Sequence, residues 1–313
     1  MKILATFDLP EEYAKRYENQ YHTQVSICKD RAQLPDALRD ADILIVSWRL
    51  PAGSVASAGS LKWIHSIGAG VDGILTPDVL ESKAIITSSS GIHREPISEH
   101  VLAFMLSFVR SFHIFARQQM RKEWKRYELQ ELAGKTLGII GLGEIGSEIA
   151  IKAKALGMRV IAVKRTSGEK PTSVDQLWMQ DRLKDLLGDS DFVVLSLPLT
   201  PETRGFIGEP ELRAMKKSAY LINISRGKIV HEAKLIQAIR EGWIAGAGLD
   251  VFEEEPLPEK SELWQMPNVI ITPHVAGSNP QYTARAMAIF EENLQRFLNG
   301  KPLTNLVDKK LGY

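Results

Sequence analysis

LGIIGLGEIGSEIAIKAKALGMRV, residues 137–160, is the stretch that decides the fold. An apolar segment leads into Gly141, Gly143 and Gly146, which have the spacing G-x-G-x-x-G. Glycine permits a tight turn and lets backbone N–H groups approach a pyrophosphate, while a following helix directs its positive end at that anion. Apolar residues do recur at helical spacing after the turn, at Ile145, Ile149, Ala153 and Leu156. The stretch therefore predicts a dinucleotide-binding strand–turn–helix unit.

Two cations stand where an NAD site would place an acid. About 20 residues after the glycines, such sites carry a carboxylate that binds the ribose 2′-hydroxyl. Here the chain has Lys164, Arg165 and Thr166. Basic side chains suit a 2′-phosphate, to which arginine forms paired charge-assisted hydrogen bonds. We therefore expect NADP(H) to be preferred, with NAD(H) as an alternative, unless these cations are only solvated surface.

Short apolar segments alternate with helix-like segments along most of the chain, which predicts an α/β fold with parallel sheets. Five predicted strands lie in the first third, at 3–7, 24–28, 43–47, 63–67 and 84–88. A long helix is predicted over 96–117, because apolar residues recur there at helical spacing. Six more strands follow, at 137–140, 159–163, 192–197, 220–224, 247–249 and 269–272. Six is the strand count of a complete dinucleotide-binding fold, and a last helix is predicted near 280–298.

Composition narrows the possible partners. The 313 residues carry 39 basic and 38 acidic side chains, so no global field attracts nucleic acid or an anionic membrane. The longest uncharged apolar run, 101–109, is too short to span a bilayer, and residues 1–10 do not resemble a signal peptide. The only cysteine, Cys28, forms no intrachain disulfide, which fits a reducing compartment. We expect a soluble cytoplasmic protein with no metal, nucleic-acid or membrane partner.

Three further segments at the ends of predicted strands carry residues for proton and anion chemistry. They contain Arg226, Glu255 and His274. Ligand crevices in open α/β sheets lie outside the carboxyl ends of the strands, so these side chains are candidates for one site. A histidine can protonate the alkoxide left by hydride addition, a carboxylate can orient it, and an arginine can bind a substrate carboxylate. Taken singly, each has an ordinary structural explanation; Glu255, for example, follows Glu253 and Glu254 in an acidic run.

The combined motifs resemble those of the D-isomer-specific 2-hydroxyacid dehydrogenases. The resemblance rests on the order and spacing of GLGEIG, SLPLTPET (196–203), NISRG (223–227), GLDVFEEEP (248–256) and TPHVAG (272–277), and also on LKWIHSIGAGVD (61–72) and Ser98-Glu99-His100. It covers essentially the whole chain. The family includes glyoxylate/hydroxypyruvate reductase-like enzymes, and this chain is similar to an NADPH-preferring branch.

By this resemblance, His274 is the general acid/base, Glu255 its carboxylate partner and Arg226 the substrate-binding arginine, while the backbone at Ala69 and Gly70 binds the substrate carboxylate. The implied cofactor residues are Gly141, Gly143, Glu144, Ile145, Gly146, Lys164, Arg165, Thr166, Pro198, Leu199, Thr203, Ile224, Ser225, Asp250 and Gly277.

The resemblance also implies two Rossmann/flavodoxin-like domains with the active site in the cleft between them. Residues 1–98 and 282–313 would form the substrate-binding domain and residues 99–281 the dinucleotide-binding domain. A homodimer is expected. The reaction would transfer a hydride between NADPH and a small 2-keto acid, giving a D-2-hydroxy acid.

Several alternatives stay open at the level of sequence. Formate dehydrogenases share the fold, but they resemble this chain less because they pair the histidine with glutamine. A non-enzymatic dehydrogenase-like corepressor that senses dinucleotide would keep the same motifs. The substrate is also open among glyoxylate, hydroxypyruvate, pyruvate and larger keto acids. Trp48 is expected to line the side-chain pocket, and Arg49 is either a contact for a second acid group or a surface cation.

Overall fold

The computed structural model describes residues 1–47, 49–166 and 168–313. They form two compact units, one made of Met1–Ile92 with Asn279–Tyr313 and the other of His93–Ser278. The sequence analysis placed both domain boundaries a few residues further along the chain. Among the described residues, no helix has the length and apolar character that a membrane span requires.

The first unit contains a sheet of short parallel strands with helices packed against it. Its strands are β1 (Lys2–Ala5), β2 (Gln24–Ile27), β3 (Ile43–Val46), β4 (Trp63–Ser66) and β5 (Ile85–Ser88). Its helices are α1 (Glu11–Tyr21), α2 (Leu34–Ala37), α3 (Pro77–Glu81) and, from the end of the chain, α10 (Tyr282–Leu298). The strand order is β2-β1-β3-β4-β5, which is the flavodoxin-like order with its switch point between β1 and β3.

The second unit contains a larger sheet, which is also parallel throughout. Its strands are β6 (Thr136–Ile140), β7 (Arg159–Lys164), β8 (Gln176–Met179), β9 (Phe192–Leu195), β10 (Tyr220–Asn223), β11 (Gly246–Leu249) and β12 (Val269–Ile271). Its helices are α4 (Arg94–Val109), α5 (Phe112–Arg121), α6 (Glu144–Ala155), α7 (Leu183–Asp189), α8 (Glu209–Ala214) and α9 (Glu232–Arg240). The order β12-β11-β10-β9-β6-β7-β8 is the dinucleotide-binding order with one added strand, and its switch point lies between β6 and β9.

Two details of the predicted elements are wrong. The single helix predicted over 96–117 is two helices, because Ser111 adopts a left-handed conformation (φ 55°) that ends the helical run. Apolar spacing continues across the break, so periodicity alone could not show it; Phe108 is buried, whereas Phe112 is 61% exposed. The strand β8 was missed because its residues are only partly buried at a sheet edge.

The core of the first unit depends on aromatic packing between β4 and α10. Trp63 is fully buried and stacks on Phe290 with ring centroids 4.9 Å apart, and it also stacks on Phe297. Offset aromatic stacking adds about 0.5–1.5 kcal/mol to the free energy gained by burying the ring area. Helix α10, from the last part of the sequence, therefore completes the hydrophobic core of a sheet formed by the first third.

A neutral histidine is buried in the same strand. The ring of His65 lies 2.8 Å from the Thr87 hydroxyl through Nδ1 and 3.1 Å from the Ser89 hydroxyl through Nε2. Burial lowers the pKa of His65 from its ordinary value to about 3. The folded protein therefore holds this imidazole uncharged at neutral pH.

This burial makes the stability of the first unit depend on pH. The pKa of His65 is lower in the folded state than in the unfolded state, so protonation favours unfolding, and stability present above about pH 6.5 is lost as pH falls towards 3. Between pH 7 and pH 5 the free energy of unfolding should fall by no more than about 1.4 kcal/mol per pH unit, because one proton is taken up. His65→Gln should flatten this part of the pH dependence, measured by thermal unfolding. Exposed His22→Asn is the control, and an unchanged slope in His65→Gln would contradict the assignment.

Candidate active site

The three glycines after β6 each meet a different geometric requirement. Gly141 has φ 98°, and a Cβ there would lie 2.3 Å from the Ser196 carbonyl oxygen, so the turn itself requires glycine. A Cβ at Gly146 would lie 2.3 Å from the Gly141 carbonyl oxygen, so α6 approaches the strand closely. A Cβ at Gly143 would meet no protein atom within 4 Å. Gly143 thus borders open space at the start of α6, beside Glu144 and Ile145, which is where the diphosphate of a dinucleotide fits.

The predicted cations stand at the carboxyl end of β7. Lys164 is the last residue of the strand, and a Cβ built at Gly168 would lie 2.6 Å from its ammonium group. Arg165 and Thr166 follow and are exposed. The pKa of Glu202 is held below its ordinary value, mainly by a hydrogen bond with Thr200 and more weakly by the positive charge of Arg165. The loop after β9 therefore comes near this end of β7.

The loops after β9 and β10 are linked to each other by hydrogen bonds. The Ser225 hydroxyl donates to the Leu195 carbonyl at 2.6 Å and accepts from the backbone N–H of Leu197 at 3.0 Å, while Ile224 beside it is buried. The Thr203 hydroxyl donates to the Pro198 carbonyl at 2.7 Å, so the loop that also carries Leu199 curls back on itself. The predicted cofactor residues of these two loops therefore lie together at one edge of the sheet.

Asp250, directly after β11, organises the segment that follows β12. Its carboxylate accepts the Thr272 hydroxyl at 2.6 Å and the backbone N–H groups of Val275 and Ala276, both at 2.9 Å. Its carbonyl accepts the N–H of His274 at 2.8 Å. His274 has φ 54°, a left-handed conformation that costs a residue other than glycine roughly 1–2 kcal/mol. The bonds to Asp250 hold the turn in this shape.

His274 and Glu255 form a hydrogen-bonded pair. Nδ1 of His274 lies 2.7 Å from Oε2 of Glu255, and the other oxygen, Oε1, accepts the N–H of Phe252 at 3.0 Å. An ionised carboxylate only accepts hydrogen bonds, so Nδ1 carries a hydrogen and donates a hydrogen bond to Glu255. Glu253 instead accepts the N–H of Glu232 at the start of α9. Of these two acids, the structure thus brings Glu255, and not Glu253, to the histidine.

Arg226 is positioned by the segment after β10. Its NH1 donates to the Ser225 carbonyl at 2.8 Å, and its own carbonyl accepts the Asn223 amide at 3.0 Å. The next residue, Gly227, lies so close to the backbone of Phe252 that a Cβ would stand 1.8 Å from the Phe252 carbonyl carbon. The segment carrying Arg226 therefore packs directly on the loop that carries Glu255.

Two histidines that sequence reasoning gave no role also belong to this region. Burial lowers the pKa of His93 to about 4, and the positive charge of Arg226 acts in the same direction. A Cβ at Gly277 would lie 2.8 Å from the His93 ring, which accounts for glycine there. Nε2 of His100 lies 3.0 Å from the Thr272 hydroxyl, and burial lowers the pKa of His100 while Asp250 opposes the shift. His93 belongs to none of the motifs that carried the family resemblance, whereas His100 belongs to the motif Ser98-Glu99-His100.

The residues expected to contact substrate from the first unit lie after β3 and β4. Ala69 and Gly70 lie in the turn after β4, where Ala69 is half-buried and Gly70 is exposed. The guanidinium of Arg49 is largely exposed and lies 3.9 Å from the Asp72 carboxylate. Trp48 lies outside the described residues.

Comparisons with known proteins agree with this architecture. Residues 102–276 match the family model "D-isomer specific 2-hydroxyacid dehydrogenase, NAD binding domain". The chain is 32% identical to a glyoxylate reductase of Korarchaeum cryptofilum, over 99% of this chain and 96% of that one. It is 34% identical to a D-3-phosphoglycerate dehydrogenase of Methanocaldococcus jannaschii, over 98% of this chain but only 59% of that longer protein. The crystal structure of an NADPH-dependent glyoxylate/hydroxypyruvate reductase from Sinorhizobium meliloti, in complex with NADP and sulfate, has a TM-score of 0.86 and 31% identity, covering 100% and 99% of the two chains.

The strand order and the glycine loop define a Rossmann-type dinucleotide-binding protein. The matches identify it further: the chain belongs to the D-isomer specific 2-hydroxyacid dehydrogenase family and is an NAD(P)-dependent oxidoreductase of that family. The family acts on small 2-keto and 2-hydroxy acids.

The different surroundings of Gly143 and Gly146 allow effects on cofactor binding to be separated from effects on stability. Gly143→Ala should unfold at the wild-type temperature, because its Cβ meets no protein atom, but should weaken NADPH binding about ten- to hundredfold by filling the space next to the diphosphate. Gly146→Ala should instead lower the free energy of unfolding by about 1–3 kcal/mol through overpacking. Fluorescence titration and thermal unfolding of both variants check this. Equal losses of stability in the two variants would contradict the interpretation of Gly143.

Proposed function

We propose that the protein reduces a small 2-keto acid, of the glyoxylate or hydroxypyruvate type, to the D-2-hydroxy acid with NADPH as the preferred cofactor. The observation that carries the proposal is the hydrogen bond between His274 Nδ1 and Glu255 Oε2 at the carboxyl ends of β11 and β12. Glyoxylate reductases among the relatives and the NADP-bound reductase from S. meliloti support it.

In this proposal His274 donates the proton that the substrate alkoxide receives. With Nδ1–H donated to Glu255, Nε2 is the atom available to the substrate, and in the imidazolium form it carries a proton for the developing alkoxide. The Glu255 carboxylate stabilises that imidazolium and holds its orientation. Because Glu255 is itself anchored by the Phe252 N–H, the pair is positioned before substrate arrives.

Arg226 is proposed to bind the substrate carboxylate. Its guanidinium presents a planar set of donors that matches a carboxylate in a paired geometry, and it polarises the keto group that takes the hydride. In the first unit, the backbone at Ala69 and Gly70 is proposed to bind a substrate carboxylate. Arg49, already beside Asp72, is available to a second acid group of the substrate only if it leaves that carboxylate.

The residues after β6 and β7 fit an NADP molecule. Open space at Gly143 accommodates the diphosphate, and Lys164 with Arg165 provides positive charge for the 2′-phosphate. When bound, the reduced nicotinamide supplies the hydride. Ile224, Pro198 and the other residues at the ends of β9 and β10 are proposed to line the nicotinamide and ribose.

A homodimer is also proposed, through α5 and the chain after it. Three large apolar side chains there are strongly exposed: Phe112 at 61%, Met120 at 85% and Trp124 at 90%. A groove of about 670 Å³ runs along the same segment, lined by Phe115 and Tyr127 among others. A second copy of the chain would remove this apolar surface from water. Trp124→Ser should therefore sediment as monomer, with Trp264→Ser as the exposed-tryptophan control; a monomeric wild type would contradict the proposal.

The activity is tested with a panel of 2-keto acids, each assayed with NADPH and NADH. The expected result is keto-acid-dependent oxidation of NADPH, fastest with glyoxylate or hydroxypyruvate. A non-enzymatic sensing role would give cofactor binding with no oxidation by any keto acid. That outcome would overturn the proposed reaction.

Glu255→Gln should move the pH dependence of reduction. Glutamine keeps the size but removes the negative charge that stabilises the imidazolium, so kcat/KM should fall off at lower pH than in the wild type. Glu253→Gln is the matched control, since Glu253 bonds the start of α9 instead. The proposal fails if the basic limb of the profile stays in place in Glu255→Gln.

Lys164→Asp should reverse the cofactor preference. One hydrogen bond to a charged group contributes about 1.5–3 kcal/mol, roughly ten- to hundredfold in affinity, and solvent exposure reduces this. The variant should bind NADPH more weakly through repulsion and gain NADH affinity through the ribose hydroxyl. Both cofactors are titrated at one ionic strength, with Lys184→Asp on α7 as the control. If the ratio of the two affinities does not change, Lys164 is only a surface cation.

A further inference from the structure

The turn after β4 presents backbone donors. The N–H groups of Gly68, Ala69 and Gly70 donate to no acceptor among the residues that the structure describes. Successive free N–H groups in a turn form a concave site for an anion. The direction of these groups therefore decides how well the turn binds a carboxylate.

Two carbonyl groups of this turn are fixed from outside it. The hydroxyl of Tyr282 donates to the Ile67 carbonyl at 3.1 Å. The backbone N–H of Ser89 donates to the Gly68 carbonyl at 3.2 Å and to the Ser66 carbonyl at 2.9 Å. Because a trans peptide is planar, its N–H points opposite to its C=O. Fixing the carbonyls of Ile67 and Gly68 therefore sets the directions of the Gly68 and Ala69 N–H groups.

The two anchors come from different parts of the first unit. Ser89 follows β5, and its hydroxyl lies 3.1 Å from Nε2 of the buried His65, so it is itself held. Tyr282 is the first residue of α10 and comes from the end of the chain. A Cβ built at Gly68 would lie 3.7 Å from the hydroxyl oxygens of both Tyr282 and Ser66, so the phenol lies against the turn itself. Burial raises the pKa of Tyr282, which keeps the hydroxyl protonated and able to donate.

We propose that Tyr282 is a positioning residue for the substrate, whose hydroxyl, by holding the Ile67 carbonyl, directs the Gly68 N–H and fixes the start of the 68–70 turn that binds the carboxylate of the keto acid. This inference rests on the proposed function, because it assigns the turn to that carboxylate. The turn binds the carboxylate equally before and during hydride transfer, so its loss should appear in KM and leave kcat unchanged.

The test is Tyr282→Phe, which removes only the hydroxyl. The matched control is Tyr21→Phe, which removes hydrogen bonds between the end of α1 and two residues further along α10, Glu291 and Gln295. One neutral hydrogen bond corresponds to a change of about three- to tenfold. KM for glyoxylate and the inhibition constant of oxalate should both rise by this factor in Tyr282→Phe. The dissociation constant of NADPH, kcat and every constant of Tyr21→Phe should stay within twofold of wild type.

The outcomes separate the inference from the proposed function. If wild type reduces no keto acid, the proposed function falls and the inference falls with it. If wild type reduces glyoxylate but Tyr282→Phe keeps its KM and oxalate constant, or loses kcat instead, only the inference is overturned. Calorimetric titration of the NADPH complex with oxalate gives a second measurement without turnover. The dissociation constant of oxalate should rise about three- to tenfold in Tyr282→Phe, and equal constants in the two proteins would also overturn the inference.

Discussion

The bonds made by Asp250 are the constraint on which the candidate active site depends. Its carboxylate and carbonyl together hold Thr272, His274, Val275 and Ala276, and so connect the end of β11 to the chain leaving β12. Without them the left-handed conformation of His274 would relax, since an isolated residue of this type favours other backbone angles. Glu255 lies on the loop that begins with Asp250. Asp250 therefore holds both the turn that carries His274 and the start of the loop that carries Glu255.

Parallel sheets explain why these residues meet although they are far apart in sequence. Arg226, Asp250 and His274 each follow a different strand, and β10, β11 and β12 are neighbours in register. Their carboxyl ends therefore lie side by side. The close contact between Gly227 and the Phe252 backbone tightens this arrangement, because any side chain at 227 would push the arginine segment from the loop leading to Glu255.

Sequence patterns could predict the parts of the molecule whose conformation depends on residues close together in the sequence. The glycine spacing predicted the loop after β6, since Gly141 and Gly146 each meet a requirement only glycine satisfies. The hydrogen bond of Glu255, however, depends on the path of the loop, so the order of the acidic run alone could not exclude Glu253. The left-handed Ser111 and the half-exposed β8 carry no local signal either. Tyr282 was beyond reach as well, because its partner, Ile67, is 215 residues away.

In the proposed function, proton transfer and the selection of substrate depend on different residues. The proposed proton donor, His274, and the acid that positions it are set by the second unit alone. Relatives of similar identity include a glyoxylate reductase and a phosphoglycerate dehydrogenase, so similar chains serve acids of different size and charge. Side chains such as Arg49, rather than the histidine pair, are where such differences are expected to arise.

We expect His274, held by Glu255, to protonate the alkoxide that forms as the keto acid is reduced. The most direct measurement compares D-glycerate formed from hydroxypyruvate with NADPH consumed, in wild type and in His274→Ala. We expect one D-glycerate for each NADPH in wild type, and a rate about 10²–10⁴-fold lower in the variant with NADPH binding retained. This expectation would be contradicted by an L-product, by NADPH consumption without hydroxy acid, or by equal rates in the two proteins while the chemical step limits turnover.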